Sequence, residues 1–331
     1  MGADLFLAVD GGNTKTVAIV ARADGTALGA GRAGASDFYA TPTEDAAFDE
    51  IGRAIDAALR EAGADLRSLR AAAFSLAGAD WPEDFADLRA GIVERGWFAN
   101  PLVVNDAIGA LYAGSPTGVG VVLVAGTGMA IGARSACGRI WHSSNWPTAG
   151  GGWGLGKAAL EAVYASALEV GPETSLTGRV LALFGEDTVE DVLHRRTARR
   201  RRRRHMDEAR LAPLVLDEAE AGDPVAVTIA EGFGRQLGMH AVAAARRVGL
   251  GPQPFPLVLA GGVFRHRSRR YLAAMLAPLE AAFPGIRPQP SRFEPVAGAL
   301  LLALEAAEIS PCADVLDRIE ASMPPPDLFR T

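Results

Sequence analysis

The sequence predicts an α/β protein with two domains, each built on a mixed sheet flanked by helices. Of the 331 residues, 49% are hydrophobic, which is enough for two buried cores in a chain of this length. A strand and hairpin followed by alternating helices and strands occurs twice, and the two copies meet near residues 113–117. We therefore expect domains at 1–114 and 115–322 and a loose tail at 323–331.

The first copy begins with a buried strand and a hairpin. Asp24-Gly25 joins two β-prone runs, which is a strong hairpin signal. The predicted strands are short runs of apolar and β-prone residues at 5–9, 16–23, 26–32, 71–76 and 102–104. The predicted helices lie at 44–61, where apolar residues have helical spacing, and at 83–95. This order is typical of a mixed sheet with helices packed on it.

The second copy repeats the plan and adds helices. Its predicted strands lie at 120–125, 129–133, 139–142, 256–260 and 286–290. Its predicted helices begin at 157–169, continue to about residue 248, and include 268–283 and 296–307. The last of these is strongly apolar, so we expect it to pack back toward the hinge between the domains.

The turn after the first strand has the composition of a phosphate-binding loop. It reads Asp10-Gly11-Gly12-Asn13-Thr14-Lys15, with the aspartate closing a buried strand. A carboxylate there can hold a metal-bound water near a polyphosphate. The two glycines let backbone N–H groups approach an anion, while the threonine adds a hydroxyl and the lysine a charge. An ordinary hairpin with polar residues at its mouth is the alternative.

Two further glycine-rich turns follow predicted buried strands. Gly126-Thr127-Gly128 comes directly after 120–125, and Gly261-Gly262 comes directly after 256–260. At the second turn a bare backbone would allow a flat ring to stack. One shared nucleotide explains three such strand ends more simply than three independent hairpins.

Asn105-Asp106 ends another predicted strand and opens a predicted helix. A carboxylate held at a strand end can act as the general base that takes a proton from a substrate hydroxyl. Aspartate is also a common N-cap, so a purely structural role is the alternative.

Together these segments resemble the N-acetylglucosamine kinases and the broader BadF/BadG/BcrA/BcrD-type ATPases of the actin/hexokinase/Hsp70-like superfamily. The segments that match the family's two phosphate loops, adenosine motif and catalytic aspartate are 10–16, 126–128, 259–264 and 105–107. Segments 75–80 and 294–300 also look like the family, and the order is the same over nearly the whole chain. The resemblance implies two actin-like (ribonuclease H-like) domains with a ligand cleft between them.

The resemblance also implies roles for individual residues. Asp106 would be the base, and Asp10 would position Mg²⁺ through water. The residues expected to contact nucleotide or phosphate are Asp10, Gly11, Gly12, Asn13, Thr14, Lys15, Gly126, Thr127, Gly128, Gly261 and Gly262. Those expected near the sugar are Ser36, Asp37, Asp106, Gly151 and Gly152. The implied reaction is ATP-dependent phosphorylation of N-acetylglucosamine to N-acetylglucosamine 6-phosphate.

One departure from the family bears on the substrate. After the Gly-Gly-Trp-Gly loop the family carries a Gly-Asp-Glu-Gly-Ser stretch, whereas here Gly154 runs directly into Leu155-Gly156-Lys157. The acidic turn that helps hold the sugar is missing, so a nucleotide- or sugar-binding regulator without turnover is an alternative. An activator ATPase of the 2-hydroxyacyl-CoA dehydratase type is another. It would need cysteines for an iron–sulfur cluster, and Cys137 and Cys312 form no such motif.

Charge and termini suggest where the protein acts. The formal net charge of −6 gives no general attraction for nucleic acid or an anionic membrane. The six consecutive arginines Arg199–Arg204 cannot form a core and are predicted to be a solvated segment. The apolar run 5–9 is too short for a signal segment or a membrane span, so we expect a cytoplasmic protein. The oligomeric state is left open, with a homodimer among the alternatives.

Overall fold

The computed structural model describes residues 4–146, 150–199, 207–266 and 268–329. The first sheet contains β1 (Leu5–Gly11), β2 (Thr16–Arg22), β3 (Ala27–Ala33), β4 (Leu69–Leu76) and β5 (Leu102–Asn105). The second contains β6 (Gly120–Ala125), β7 (Met129–Arg134), β8 (Ile140–His142), β9 (Pro256–Ala260) and β10 (Arg287–Pro290).

Both sheets have the same topology. The first has the order β3-β2-β1-β4-β5, and the second has the equivalent order β8-β7-β6-β9-β10. In each sheet the first three strands in chain order, β1–β3 or β6–β8, pair antiparallel. The last two strands, β4 and β5 or β9 and β10, run parallel to the first strand, β1 or β6. The predicted fold class, an α/β protein with two mixed sheets flanked by helices, is confirmed.

The helices cover the faces of these sheets. In the first half of the chain they are α1 (Glu44–Ala62), α2 (Pro82–Glu94) and α3 (Asp106–Gly114). The second half adds α4 (Gly152–Ala167), α5 (Leu176–Phe184), α6 (Val189–Thr197), α7 (Ala212–Ala221), α8 (Pro224–Val248), α9 (Gly262–Arg265) and α10 (Arg269–Ala282). The chain ends with α11 (Pro295–Ala306) and α12 (Ala313–Ser322). Within the described ranges, none of these helices is long and apolar enough to cross a membrane.

Helix α11 returns to the first sheet. It packs on β1 and β4 and crosses α3, and its apolar residues from Val296 to Leu304 are buried. At the crossing a Cβ on Gly298 would lie 1.8 Å from the carbonyl oxygen of Gly109. The two helix backbones therefore touch, which fixes the position of α3. The opposite face of α3 packs through Ala107 and Leu111 on the second sheet.

The predicted loose tail is packed instead over its described part. Leu328 and Phe329 lie partly buried against the core of the first sheet. The guanidinium of Arg32 donates to the carbonyl oxygen of Asp327 at 3.3 Å, and the ammonium of Lys15 donates to that of Phe329. Apolar contacts and hydrogen bonds together hold this proline-rich segment against the first lobe.

We name two lobes accordingly: the first lobe is residues 4–114 and 291–329, and the second lobe is the described part of 115–290. The sequence analysis predicted that residues 115–322 form one domain. The lobes differ from that prediction in α11 and α12, which pack on the first sheet. The division near residue 114 stays a prediction. Most of the arginine run, residues 200–204, lies outside the described residues.

Candidate active site

Asp10 and Asp106 lie at the same edge of the first sheet. Strands β1, β4 and β5 are parallel, with β4 in the middle. In the register of the sheet, Asp10 is paired with Ser75, and Ser75 is paired with Val104. Asp106 follows the last residue of β5 and is the first residue of α3. Because parallel strands bring their carboxyl ends together, two acids distant in sequence meet in space.

The environment of Asp10 disfavours its charge. Its pKa is raised to about 7, mainly by burial and also by the carboxylates of Asp106 and Glu294, while the ammonium of Lys15 opposes them. Near neutral pH this group is therefore much less readily ionised than an ordinary aspartate. A cation placed beside it would favour the ionised form.

The environment of Asp106, the predicted base, also disfavours its charge. Burial raises its pKa to about 6, Asp80 and Asp37 contribute in the same direction, and the backbone N–H of Ala107 opposes them. The N-cap of α3 is Asn105, whose side-chain oxygen accepts from the N–H of Ala107 at 3.1 Å. Because Asn105 already caps the helix, the alternative that Asp106 is present only as a cap is weakened.

Ser36 and Asp37 lie beside the first turn. The N–H of Ser36 donates to the carbonyl oxygen of Gly12 at 3.0 Å, and the hydroxyl of Thr16 donates to Ser36 Oγ at 2.8 Å. Asp37 Oδ1 accepts from the N–H of Tyr39 at 2.9 Å, so the carboxylate is held within its own turn. Ser36 and Asp37, two of the three predicted sugar residues of the first lobe, are buried, and the charge of Asp37 acts on the third, the predicted base Asp106.

The predicted phosphate loop is a tight turn with an open tip. The N–H of Gly12 donates to the carbonyl oxygen of Lys15 at 2.9 Å and closes the turn. Asn13 and Thr14 are exposed at the tip. Their polar groups can therefore reach a ligand in the cleft.

The glycine-rich segments of the second lobe form one surface. The N–H groups of Gly152 and Trp153 each donate at 2.8 Å, to the carbonyl oxygens of Gly126 and Thr127. Gly261 has a φ of +96°, and a Cβ there would lie 2.4 Å from the carbonyl oxygen of Ala125. Both the left-handed backbone and the close approach require glycine. The segments at 126–128, 151–152 and 261–262 thus meet where β6 and β9 end.

The two lobes face each other across this site. Burial lowers the pKa of Lys15 in the first lobe, and the charge of Arg265 in the second lobe adds to the lowering. Arg265 ends the short helix α9 that follows Gly261. Lys15, in the first turn of the first lobe, and Arg265, three residues past Gly262 in the second lobe, are therefore close enough to interact electrostatically.

Two acidic residues of the site were not predicted. Asp80 follows β4 and acts on the charge of Asp106, while Glu294 precedes α11 and acts on Asp10 and Lys15. Both belong to segments that resemble the family, 75–80 and 294–300. Asp80 also stands just past the carboxyl end of a parallel strand, and this position is the signal that could have identified it.

The missing acidic turn is replaced by an early helix start. Helix α4 begins at Gly152, although the sequence predicted helix only from residue 157. A Cβ on Gly156 would lie 1.8 Å from the carbonyl oxygen of Glu208, so the first turns pack against the 3₁₀ helix Glu208–Leu211. The residues from Gly152 to Leu160 carry no acidic side chain that could contact a sugar.

The site is compatible with a weakly held Mg²⁺. In the ranges that the structure describes, no three His, Cys, Asp or Glu side chains form a cluster able to hold a metal ion. Mg²⁺ usually keeps several waters and binds one or two carboxylates together with substrate phosphates. Asp10 offers a hard oxygen ligand in surroundings that are rich in negative charge. The residues present thus fit a hydrated cation at Asp10.

The model of the BadF/BadG/BcrA/BcrD ATPase family matches residues 7–303, which include every site residue described above. The chain belongs to this family. It is 26% identical over 321 residues to N-acetyl-D-glucosamine kinase from Dictyostelium discoideum, covering 92% of this chain and 99% of that one. It is also 26% identical over 273 residues to N-acetylmuramic acid/N-acetylglucosamine kinase from Clostridium acetobutylicum, covering 80% and 87%.

Solved structures of similar fold support the architecture of this family member. A protein from Chromobacterium violaceum, proposed to be an N-acetylglucosamine kinase, has a TM-score of 0.66 at 24% identity, covering 92% of this chain and 100% of that one. A ROK family glucokinase from Streptomyces griseus, in complex with glucose and AMPPNP, has a TM-score of 0.59 at 18% identity, covering 92% and 99%. At these identities the likeness concerns the fold.

Asp10→Asn is expected to stabilise the protein without ligands. A carboxyl pKa raised in the folded state means that the native protein binds the proton more tightly than the unfolded chain. The stability that this provides is lost as the pH rises from about 4 to about 7. At pH 8, in EDTA, we expect the melting temperature of the variant to exceed that of the wild type by about 2–6 °C. At pH 4 the difference should disappear.

Thermal unfolding between pH 4 and pH 8 measures this effect. Asp56→Asn, at an exposed position of α1, is the matched control and should change the melting temperature by less than about 1 °C. A lower melting temperature for Asp10→Asn at pH 8 would mean that the Asp10 carboxylate is stabilised by its neighbours instead.

Proposed function

We propose that the protein is an ATP-dependent sugar kinase whose acceptor is an amino sugar, with N-acetylglucosamine and its 6-hydroxyl as the expected substrate and position. The observation that carries the proposal is the pair Asp10 and Asp106, which lie at the carboxyl ends of β1 and β5, the two parallel strands on either side of β4. The names of the two relatives similar over most of the chain support a sugar as the acceptor.

Asp106 would accept the proton of the attacking hydroxyl. With a pKa of about 6 it is mostly ionised at neutral pH, yet it is more basic than an ordinary aspartate. Its position at the start of α3 is fixed by the Asn105 cap and by the crossing with α11. Fixed geometry matters because phosphoryl transfer is catalysed mainly by positioning and charge stabilisation.

The turns on both sides of the cleft would hold the triphosphate. The backbone of Gly11-Gly12 and of Gly126-Thr127-Gly128 can approach phosphate oxygens, and Thr14, Thr127 and Lys15 add hydroxyls and one charge. Asp10 would hold hydrated Mg²⁺, which when bound neutralises charge on the phosphates. Gly261-Gly262 leaves a bare backbone against which the adenosine can lie.

The acceptor specificity is expected to be broad. The loss of the acidic turn removes a charged partner for the sugar, and a charge-assisted hydrogen bond contributes roughly 1.5–3 kcal/mol, or about 10–150-fold in affinity. We expect a high KM for N-acetylglucosamine and measurable turnover of related amino sugars. The test is ADP release with N-acetylglucosamine, glucosamine, N-acetylmannosamine, N-acetylmuramic acid and glucose, with the mass and linkage of each product determined.

Two outcomes would contradict parts of this proposal. Low KM and exclusive use of one sugar would contradict the broad specificity but not the kinase activity. MgATP binding with no product from any sugar would favour the second candidate, a nucleotide- or sugar-binding regulator without turnover. The observation that favours that candidate is the absence of an acidic side chain from Gly152 to Leu160.

A further inference from the structure

Asp80 makes contacts with both lobes at once. Its Oδ1 accepts from the side-chain amide of Asn105 at 3.1 Å, and its Oδ2 accepts from the side-chain amide of Asn145 at 3.2 Å. Asn105 is the N-cap of α3 in the first lobe, whereas Asn145 lies between β8 and α4 in the second. One carboxylate therefore bridges the start of the helix that carries Asp106 and the opposite wall of the cleft.

Asp80 is held on its own side of the cleft. Its backbone N–H donates to Asp84 Oδ2 at 3.2 Å, within the first turn of α2. Asn105 donates a second time, to the carbonyl oxygen of Ala79 at 3.2 Å. The loop after β4 and the cap of α3 thus form one rigid unit, so that a force on Asp80 acts on α3.

Asn145 belongs to an equally well-anchored turn. Ser143 exchanges two hydrogen bonds with Ile131 of β7: its N–H donates at 2.8 Å, and its Oγ accepts the N–H of Ile131 at 3.0 Å. The N–H of Trp146 donates to the carbonyl oxygen of Ser143 at 2.7 Å. The bond between Asp80 and Asn145 therefore joins two segments that are each held by hydrogen bonds of their own. The hydroxyl of Ser144 adds a second bond across the same gap, to the backbone carbonyl oxygen of Asp80 at 3.4 Å.

We propose that Asp80 is a positioning residue: through Asn145 it latches the two lobes in the arrangement that the structure shows, and it keeps the cap of α3 in place against the second lobe. The expected effect of the latch on turnover rests on the proposed function, whereas the latch itself does not. Closing the cleft excludes water and brings the ligands of both lobes together. The amide of Asn145 is the donor and the carboxylate of Asp80 is the acceptor.

The test uses a reversal of this bond in the full-length chain. Asn145→Asp places a carboxylate against that of Asp80, and the repulsion should open the cleft and raise the KM for the sugar about tenfold. Asp80→Asn should have a smaller effect, because the amide of Asn145 can turn its oxygen toward the new donor. In the double variant the new amide at position 80 can donate to the new carboxylate at position 145, so the KM should return to within about threefold of that of Asp80→Asn.

Two readouts keep this test separate from the kinase proposal. The radius of gyration of the ligand-free chain, from small-angle scattering, should increase in Asn145→Asp and return in the double variant, even if no sugar is turned over. With turnover, Asn145→Ala should change mainly KM, whereas Asp80→Ala should also lower kcat because it releases Asn105. Asn100→Asp, which makes the same change in an exposed loop, is the control.

Three results would overturn the latch. These are a compact Asn145→Asp variant with wild-type KM, a double variant as open as Asn145→Asp, and an Asp80→Ala variant with unchanged kcat. Circular dichroism and thermal unfolding establish that each variant is folded. If Asn145→Asp does not fold, Asn145→Ala replaces it in the scattering experiment, and a compact Asn145→Ala chain would equally contradict the proposal.

Discussion

Asp106→Asn is expected to lower kcat by about 10²–10⁴-fold, which is about 3–5 kcal/mol of activation free energy. The substitution keeps the size of the side chain and leaves the Asn105 cap in place, but it removes the proton acceptor. Nucleotide binding should change by no more than about threefold, because the phosphate-binding turns are untouched. Steady-state kinetics and calorimetric titration with a non-hydrolysable ATP analogue measure the two quantities.

The pH dependence provides an independent check on Asp106. The pKa of this buried carboxyl is about 6, so wild-type kcat should fall as the pH is lowered through that value and the base is protonated. The residual activity of Asp106→Asn should lack this step. Asp87→Asn, at an exposed position of α2, should behave like the wild type in both respects. A variant at position 106 that keeps most of its rate would show that the carboxylate has a structural role alone.

Gly298→Ala is expected to destabilise the protein by about 2–4 kcal/mol. The added Cβ would lie 1.8 Å from the carbonyl oxygen of Gly109 and 2.7 Å from the backbone nitrogen of Ala113. Both atoms belong to the backbone of α3, which cannot move aside as a flexible side chain would. The helices must separate, and because α3 carries Asp106, kcat should fall as well.

Denaturant unfolding and steady-state kinetics test this prediction. Gly232→Ala is the matched control, because Gly232 is an exposed residue inside α8 with no atom within 4 Å of the position of a new Cβ. This change should be neutral or stabilising by about 0.5–1 kcal/mol, since alanine is the better helix former. Equal stability of Gly298→Ala and the wild type would mean that α3 and α11 can separate at no cost.

Much of the fold could be predicted because local patterns decide it. Strands such as β1 and β6 are short apolar runs that end in glycine-rich turns, and long helices such as α1 have clear apolar faces. Asp10 and Asp106 could be found because each stands at the end of a short apolar strand, Asp10 near the end of β1 and Asp106 directly after β5. The early start of α4 could not be predicted, because glycine disfavours helix and the helix there is stabilised by contacts with distant segments, the 126–128 turn and the 3₁₀ helix Glu208–Leu211.

Contacts between segments that are far apart in the sequence could not be predicted. The bond between Asp80 and Asn145 joins residues 65 positions apart, and nothing in either local sequence indicates the other. Glu294 likewise acts on Asp10 only because α11 returns to the first sheet. The docking of Phe329 near Lys15 has the same origin, since it requires a terminal segment to meet the first turn of the chain.

The return of α11 to the first sheet means that the second lobe is nested within the first. The chain passes between the lobes at two places only in its described part, after α3 and before α11. These crossings are joined directly, because the N–H of Phe293 donates to the carbonyl oxygen of Ala113 at 3.1 Å and the amide of Gln289 donates to that of Gly114 at 2.7 Å. Because the crossings are paired, any rotation of the second lobe would pivot about a single place, and residues 4 and 329, the first and last that the structure describes, both lie in the first lobe.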